Sequence, residues 1–272
     1  MLDISSKKRL NVSMPAVVFS IVSQKYGEGK TTTAVNLSVS LAKKGVRALL
    51  IDFDQAGSAT KGLGYASEKN GSLYDILHGA YDFDRSLKKT RYENLAIVPS
   101  DDNLEAIETE LRASGDYLML IRESVCRIRD SGDFDAIILD CPPVGKSFAI
   151  DIIGSADRLL VTLRSEYTAI EVMSQISQAV EDLKARDLNK TLGIGGIIMT
   201  MFDIKTDLSA KVLEDIKIQF KGLPFETVIP RSSRLGEAAS FGQSIFEYDE
   251  MSSGAQAYDR LGMEIIKRFK LI

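Results

Sequence analysis

Gln24-Lys25-Tyr26-Gly27-Glu28-Gly29-Lys30-Thr31 is the stretch that decides the architecture of this chain. It follows an apolar run, Ala16–Val22, and leads directly into an amphipathic segment that begins at Lys30 and extends to about Lys43. Strand, glycine-bearing turn, Gly-Lys-Thr and helix, in that order, build a cradle for phosphate. Phosphate oxygens need many donors at short range, and successive backbone N–H groups in a tight turn supply them. Gly27 and Gly29 remove the Cβ atoms that would hold an anion away from the backbone. A helix starting at Lys30 aims its unpaired N–H groups and the positive end of its dipole at the same point.

Working outward, short apolar runs alternate with longer amphipathic ones. Arg47–Asp52, Asn94–Pro99, Phe134–Asp140, Arg158–Leu163, Gly193–Thr200 and Pro224–Ile229 read as strands. Helical periodicity marks Asn103–Ala113, Tyr117–Arg129, Thr168–Arg186 and Ser209–Phe220, and Gly45 stops the first helix. Several strands are apolar at nearly every position, the pattern of parallel strands covered on both faces. The expected fold is α/β: a doubly wound, mostly parallel sheet flanked by helices on both faces. No repeat, low-complexity tract or Pro/Gly-rich linker divides the 272 residues, so one domain is expected over residues 16–272, behind a flexible arm at residues 1–15. Residues 1–13 carry Lys7, Lys8 and Arg9 but neither the apolar stretch nor the cleavage site of a signal peptide.

Composition narrows the function classes. Hydrophobic residues at 44% and charged residues at 26% are ordinary for a globular protein with a sizeable core. A net charge of −4 argues against a wholesale electrostatic nucleic-acid binder, so any such contact must come from a local basic patch. Cys126, Cys141 and the single histidine, His78, are too few for a disulfide framework or a zinc site within one chain. Two reduced thiols in a cytoplasmic protein are the expectation. No apolar run reaches the ~18 residues of a membrane span.

Two acidic strand ends accompany the loop. Asp52-Phe53-Asp54 closes one strand and Asp140-Cys141-Pro142-Pro143 another. Carboxylates at the C-terminal ends of parallel strands face the crevice where ligands bind. Phosphoryl transfer to water needs a Mg2+ ligand and a group that orients the water. In a loop of this kind Lys30 reaches the β/γ-phosphates and the Thr31 hydroxyl sits on Mg2+. The expected ligand is ATP with Mg2+, held by Gly27, Glu28, Gly29, Lys30, Thr31 and Thr32.

The common P-loop has a glycine where Gln24 stands, and here Lys25 follows. In this deviant Walker A form the chain resembles the ParA/MinD family of P-loop ATPases, whose loop reads Lys-Gly-Gly-x-Gly-Lys-Thr. Four further segments narrow the resemblance to the ParA/Soj partition branch, over nearly the whole chain after Pro15. They are Asn94–Ser100 with Asn103–Glu108, Thr200–Thr206, Ile229–Arg231 through Leu235–Ala238, and Ala257–Leu261.

The resemblance implies a slow Mg-dependent ATPase that closes into a homodimer on binding ATP. It makes Lys25 the lysine that crosses to the partner's phosphates, much as an arginine finger acts in trans. It assigns Asp54 to the attacking water and Asp140 to Mg2+ through a bound water. Asp52 joins the metal set as an accessory carboxylate whose role the resemblance leaves open. Met201, Asp203, Pro230 and Arg231 would line the adenine pocket. Lys205 and Arg234 would contact DNA without sequence preference, at the nucleoid in the cytoplasm. A ParB-like centromere-binding partner would stimulate hydrolysis, so that plasmid or chromosome DNA is segregated.

Some residues depart from the family pattern. Tyr26 replaces a family glycine, Glu28 brings a negative charge beside the phosphates unless it points outward, and Asp54-Gln55-Ala56 lacks the usual proline. Cys141 invites comparison with iron-protein relatives, but Cys126 lies mid-helix without the glycine pattern of a cluster site. From Lys184 to Arg234 there are nine Lys/Arg against six Asp/Glu, a modest excess that dimerisation would double on one surface.

Other readings stand beside the partition ATPase. The C-terminal segment from Ala255 places Tyr258, Leu261, Ile265, Ile266 and Phe269 on one stripe with Arg260, Lys267, Arg268 and Lys270 around it. Such a basic amphipathic helix can grip an anionic membrane, as in a MinD-like spatial regulator. Packing of that stripe on the sheet is the favoured alternative, which makes a membrane partner the weaker expectation. A ParA-like positioner of protein cargo shares every motif. A metabolic P-loop enzyme would need a further catalytic constellation, and none is visible.

Overall fold

The computed structural model describes residues 15–66, 73, 86–100, 104, 106, 109, 117–142 and 147–272. The N-terminal arm up to residue 14, His78, Pro143 and most of the helix expected at Asn103–Ala113 lie outside the described residues.

Among the described residues the chain forms β1 (Val17–Val22), α1 (Lys30–Lys43), β2 (Ala48–Asp52), α2 (Ser58–Gly62), β3 (Lys88–Lys89) and β4 (Leu95–Val98). It continues through α3 (Tyr117–Asp130), β5 (Ala136–Asp140), α4 (Ser147–Gly154), β6 (Arg158–Arg164), α5 (Ala169–Ala185) and β7 (Gly193–Thr200). The last helices are α6 (Asp207–Gln219), α7 (Ser233–Ser240), α8 (Ile245–Tyr248) and α9 (Ser253–Phe269).

The strands form one seven-stranded sheet in the order β3-β4-β2-β5-β1-β6-β7. All pairs are parallel except β3 with β4. This is the doubly wound α/β sheet expected from the apolar runs. Successive side chains of a strand point to opposite faces. Val18, Leu49, Ile137, Val161 and Met199 therefore pack under α3, α4, α5 and α6, against Ile121, Ile152, Met173 and Ile216. Their neighbours Phe19, Leu50, Ile138, Leu160 and Ile198 pack under α1, α7 and α9, against Leu37, Ala238 and Leu261. Both faces are dry, which is why the central strands read as continuous apolar runs.

The segment Pro224–Ile229, expected as a strand, is not one. It follows β7 only through isolated bridges, Ile197 with Pro224 and Phe202 with Pro230. Pro224 has no N–H to donate. The N–H groups of Glu226 and Thr227 donate instead to the Glu264 carboxylate of α9, at 2.9 and 2.8 Å.

α9 settles where its apolar stripe goes. Tyr258, Leu261 and Ile265 are buried against the sheet and α1, and Phe269 meets Phe19 edge to face at 4.8 Å. The Arg268 guanidinium lies 4.0 Å from the Phe225 ring centroid and donates to the Gly195 and Leu223 carbonyls, at 3.0 and 2.9 Å. Apolar area and one of the basic side chains are thus committed to the fold. Among the described residues no helix is long and apolar enough to cross a membrane.

Two glycines bring α2 and α7 together. Gly64, just past α2, and Gly242, just past α7, both have positive φ (80° and 64°). A Cβ on Gly64 would lie 2.9 Å from the Gly242 carbonyl oxygen, and one on Gly242 would lie 2.8 Å from the Gly64 Cα.

Candidate functional site

The loop between β1 and α1 turns on Gly27 and Gly29, with φ of 79° and 81°, conformations that only glycine adopts without strain. Gly29 is the N-cap of α1, and no side chain caps that helix. Its first-turn N–H groups therefore stay open to an anion. Thr200, at the end of β7, fastens the loop from behind. Its hydroxyl lies 3.0 Å from the Glu28 carbonyl and 3.2 Å from that of Leu163.

Lys30 is buried, and its ammonium donates to the Ser23 hydroxyl at 2.9 Å and the Lys25 carbonyl at 3.2 Å. Burial lowers its pKa, while Asp140, Glu28 and Asp54 pull it back up. Lys25 is exposed and makes no ion pair among the described residues. The two lysines of the loop thus occupy opposite environments five residues apart in sequence.

The departures in the loop find places. Glu28 turns inward, is almost fully buried, and accepts the Lys25 N–H at 3.0 Å. Tyr26 is 66% exposed, with its ring centroid 5.7 Å from the Lys30 ammonium. A side chain at position 26 is therefore accommodated by pointing out of the turn.

Sheet register brings the acidic strand ends to the loop. Asp52 on β2 and Ile21 on β1 both pair with Asp140 on β5. Both carboxyls are fully buried. Among the described residues neither oxygen of Asp140 has a hydrogen-bond partner, and the Thr31 hydroxyl faces it without reaching bonding geometry. Burial, then the neighbouring Asp52, holds the Asp140 carboxyl well above the usual range, and Thr31 and Lys30 only partly offset this. Burial also pushes Asp52 up, to about 6.

The expectation that Asp52 joins the metal set does not fit its surroundings. Its Oδ2 accepts from the Thr60 N–H at 2.8 Å and the Thr60 hydroxyl at 2.7 Å, and its Oδ1 accepts from the Asp54 N–H at 3.1 Å. Asp140, buried without a partner beside Thr31, is the carboxylate whose lone pairs are free for a hard cation.

This arrangement has a pH signature. A carboxyl whose folded pKa is raised favours the folded state fully below the unfolded range, about pH 4, and loses that contribution as pH climbs through the folded value. For Asp52 that window closes at about pH 6. Asp140→Asn removes the buried charge. Without metal or nucleotide the variant is expected to melt above the parent at pH 8 by a few degrees, about 1–2 kcal/mol, with the gap closing at pH 4. A melting-temperature difference that is the same at both pH values would contradict this account.

A cleft of about 370 Å³ opens from the loop, lined among others by Lys30, Thr31, Thr32, Asp54, Leu235 and Gln243. Met201, Asp203, Pro230 and Arg231 do not line it. They come together elsewhere, where Phe202 donates its N–H to the Ile229 carbonyl (2.9 Å) and Arg231 donates to that of Phe202 (3.1 Å). Met201 takes a positive φ of 50° as β7 ends, and the Asp203 carboxylate accepts the Lys205 N–H at 3.0 Å.

The basic candidates divide. Arg234 is tied to Glu237 at 3.0 Å and to Asp249 at 3.4 Å, and its guanidinium lies over the Tyr248 ring. Lys184, Lys190 and Lys217 are also in ion pairs. Lys205 and Arg231 are exposed and without an ion pair among the described residues. Cys141 is buried against the Ser20 hydroxyl at 2.9 Å, and burial pushes its thiol far up, so it is an inert core residue.

Comparison with known proteins gives these contacts a lineage. Residues 16–194 match the AAA domain family. The chain is 36% identical over 255 residues to the chromosome partitioning protein ParA of Caulobacter vibrioides, covering 93% of this chain and 95% of that one. It is 37% identical over 249 residues to the sporulation initiation inhibitor protein Soj of Bacillus subtilis, covering 91% and 97%. Cobyrinic acid a,c-diamide synthase from Mycobacterium smegmatis, solved with ADP and magnesium, superposes with a TM-score of 0.78 at 26% identity, over 94% of this chain and 96% of that one. With its lysine-bearing loop at the mouth of a doubly wound sheet, the chain belongs to the ParA/Soj family of P-loop ATPases.

Proposed function

We propose that this ATPase is a nucleotide-operated switch that partitions DNA: ATP closes two copies face to face, the closed pair holds DNA without sequence preference, and hydrolysis releases it. The observation that carries this reading is the contrast between the two lysines of the loop. Lys30 is internal and serves its own nucleotide, whereas Lys25 stands exposed at the rim with no ion pair among the described residues. A cation held there has its use in a second chain's phosphates.

In this reading Gly27, Glu28, Gly29, Lys30, Thr31 and Thr32 hold the phosphates of ATP, and Asp54 orients the attacking water. Thr31 and Asp140 are the residues that would hold Mg2+. The magnesium and ADP in the structure of the M. smegmatis synthase support ATP with Mg2+ as the ligand of this fold. Bound there, Mg2+ would offset the negative charge of the phosphates. Met201, Asp203, Pro230 and Arg231, outside the cleft but on or paired with the stretch following Thr200, which is bonded to the loop, would take the adenine. Lys205 is the better placed of the two DNA contacts, because Arg234 must first leave two carboxylates. A ParB-like protein is the stimulating partner.

The burial of the α9 stripe and the internal role of Arg268 favour this reading over a membrane-bound regulator.

Light scattering and gel shifts with ATP or ADP test the switch. The parent is expected to dimerise and retain DNA with ATP only, and the retention should weaken with added salt. Lys25→Ala should bind ATP yet stay monomeric and off DNA. A parent that remains monomeric at saturating ATP, with hydrolysis blocked by Asp54→Ala, would overturn the proposal.

A further inference from the structure

We infer that Thr60 and Ser100 are positioning residues for hydrolysis, clamping the backbone of Asp54 at its N–H and at its carbonyl. The inference rests on the reading of Asp54 as the group that orients water.

The contacts form a closed ring. The Asp54 N–H donates to Asp52 Oδ1 at 3.1 Å. The other oxygen of that carboxylate accepts the Thr60 hydroxyl at 2.7 Å. The Thr60 hydroxyl in turn accepts the Ser100 N–H at 3.0 Å. Ser100 Oγ then donates to the Asp54 carbonyl at 2.7 Å, and that carbonyl also accepts the Gly57 N–H at 2.8 Å. The ring joins the end of β2, the helix α2 and the loop that follows β4. Asp52, Thr60 and Ser100 are fully buried, whereas Asp54 is half-buried and faces the cleft beside Ala56 and Ser58.

The division between buried frame and exposed carboxylate is what gives the ring its function. The turn Asp54–Gly57 has a solvent-facing outer side, with Ala56 exposed, and lacks a proline to stiffen it. Its inner edge is held through both backbone polar groups of one residue, the Asp54 N–H and carbonyl. A reacting group displaced by about 1 Å can lose about 100-fold in rate, so a frame that fixes the root of Asp54 acts on turnover. Thr60 is the keystone, because its one hydroxyl donates to Asp52 while accepting from Ser100. Valine has the same shape and can do neither. Serine can do both.

The test compares Thr60→Val, Thr60→Ser, Ser100→Ala and Asp54→Ala with the parent, by phosphate release at saturating Mg·ATP and by ADP affinity. Thr60→Val and Ser100→Ala are expected to lose about 10-fold in kcat, with ADP affinity within about two-fold of the parent. Thr60→Ser should recover to within about two-fold of the parent kcat. The Thr60→Val/Ser100→Ala pair should fall little below the worse single variant, since both open the same ring. Support for the fold alone would lower melting temperature while sparing kcat well below it. Parental kcat in both single variants, with hydrolysis lost in Asp54→Ala, would overturn the inference. Parental hydrolysis in Asp54→Ala would instead overturn the reading of Asp54, and the inference with it. Should Thr60→Val fail to fold, Ser100→Ala decides alone, since it removes one oxygen and leaves the Ser100 N–H on Thr60.

Discussion

Lys30→Ala is expected to weaken nucleotide binding by at least about 30-fold. The ammonium lies inside the cradle, held by Ser23 and the Lys25 carbonyl, where burial lowers its pKa and Asp140, Glu28 and Asp54 only partly offset this. Truncating one partner of a buried, hydrogen-bonded charge pair costs about 2–5 kcal/mol. That corresponds to a loss of roughly 30- to several thousand-fold in affinity. Titration calorimetry with Mg·ATP and Mg·ADP reads the effect directly, and circular dichroism checks that the helix starting at this residue still forms. Affinity within about three-fold of the parent would show that the loop binds phosphate through its backbone alone.

Asp54→Ala is expected to separate binding from turnover. Asp54 borders the cleft, and its carboxylate accepts the Ala56 N–H at 3.1 Å, a contact local to its own turn. Removing a group that orients or deprotonates the attacking water lowers rate by about 10²–10⁴-fold. ATP affinity should stay near the parent value, because the expected phosphate donors belong to the loop Gly27–Thr32 and not to the Asp54 turn. Single-turnover phosphate release beside equilibrium binding measures both quantities. A loss in binding equal to the loss in turnover would place Asp54 among the phosphate ligands instead.

Much of the fold was legible because its signals are local. Parallel strands buried on both faces leave unbroken apolar runs, and β7 begins and ends at the residues expected, Gly193 and Thr200. Where the outcome depends on distant partners, local pattern fails. Nothing within Pro224–Ile229 announces that Glu264 of α9 will take two of its N–H groups. β3 is two residues long and antiparallel, too short to show a period.

The site divides in the same way. Lys25, Lys30, Thr31, Asp54 and Asp140 stand out because a charged or hydroxyl side chain beside a glycine turn or a strand end has few other reasons to be there. Thr60 and Ser100 carry no such mark, since hydroxyls are common and their meaning here comes from α2 and β4 meeting at one carboxylate. Asp52 misleads for a related reason. A strand-end aspartate looks the same in sequence whether its lone pairs are free or already given to a neighbouring threonine.

The contact of Gly64 with Gly242 has a mechanical consequence. Where helices meet through side chains, a small shift is absorbed by rotamers. Here backbone rests on backbone, with no room for even a methyl group. A displacement of α2, the helix that carries Thr60, therefore reaches the end of α7, the helix that carries Arg234, with no slack between them. The seam acts as a gear tooth between the turn that bears Asp54 and a face of the molecule remote from it in sequence. Alanine at either position would jam that gear or pry the two helices apart.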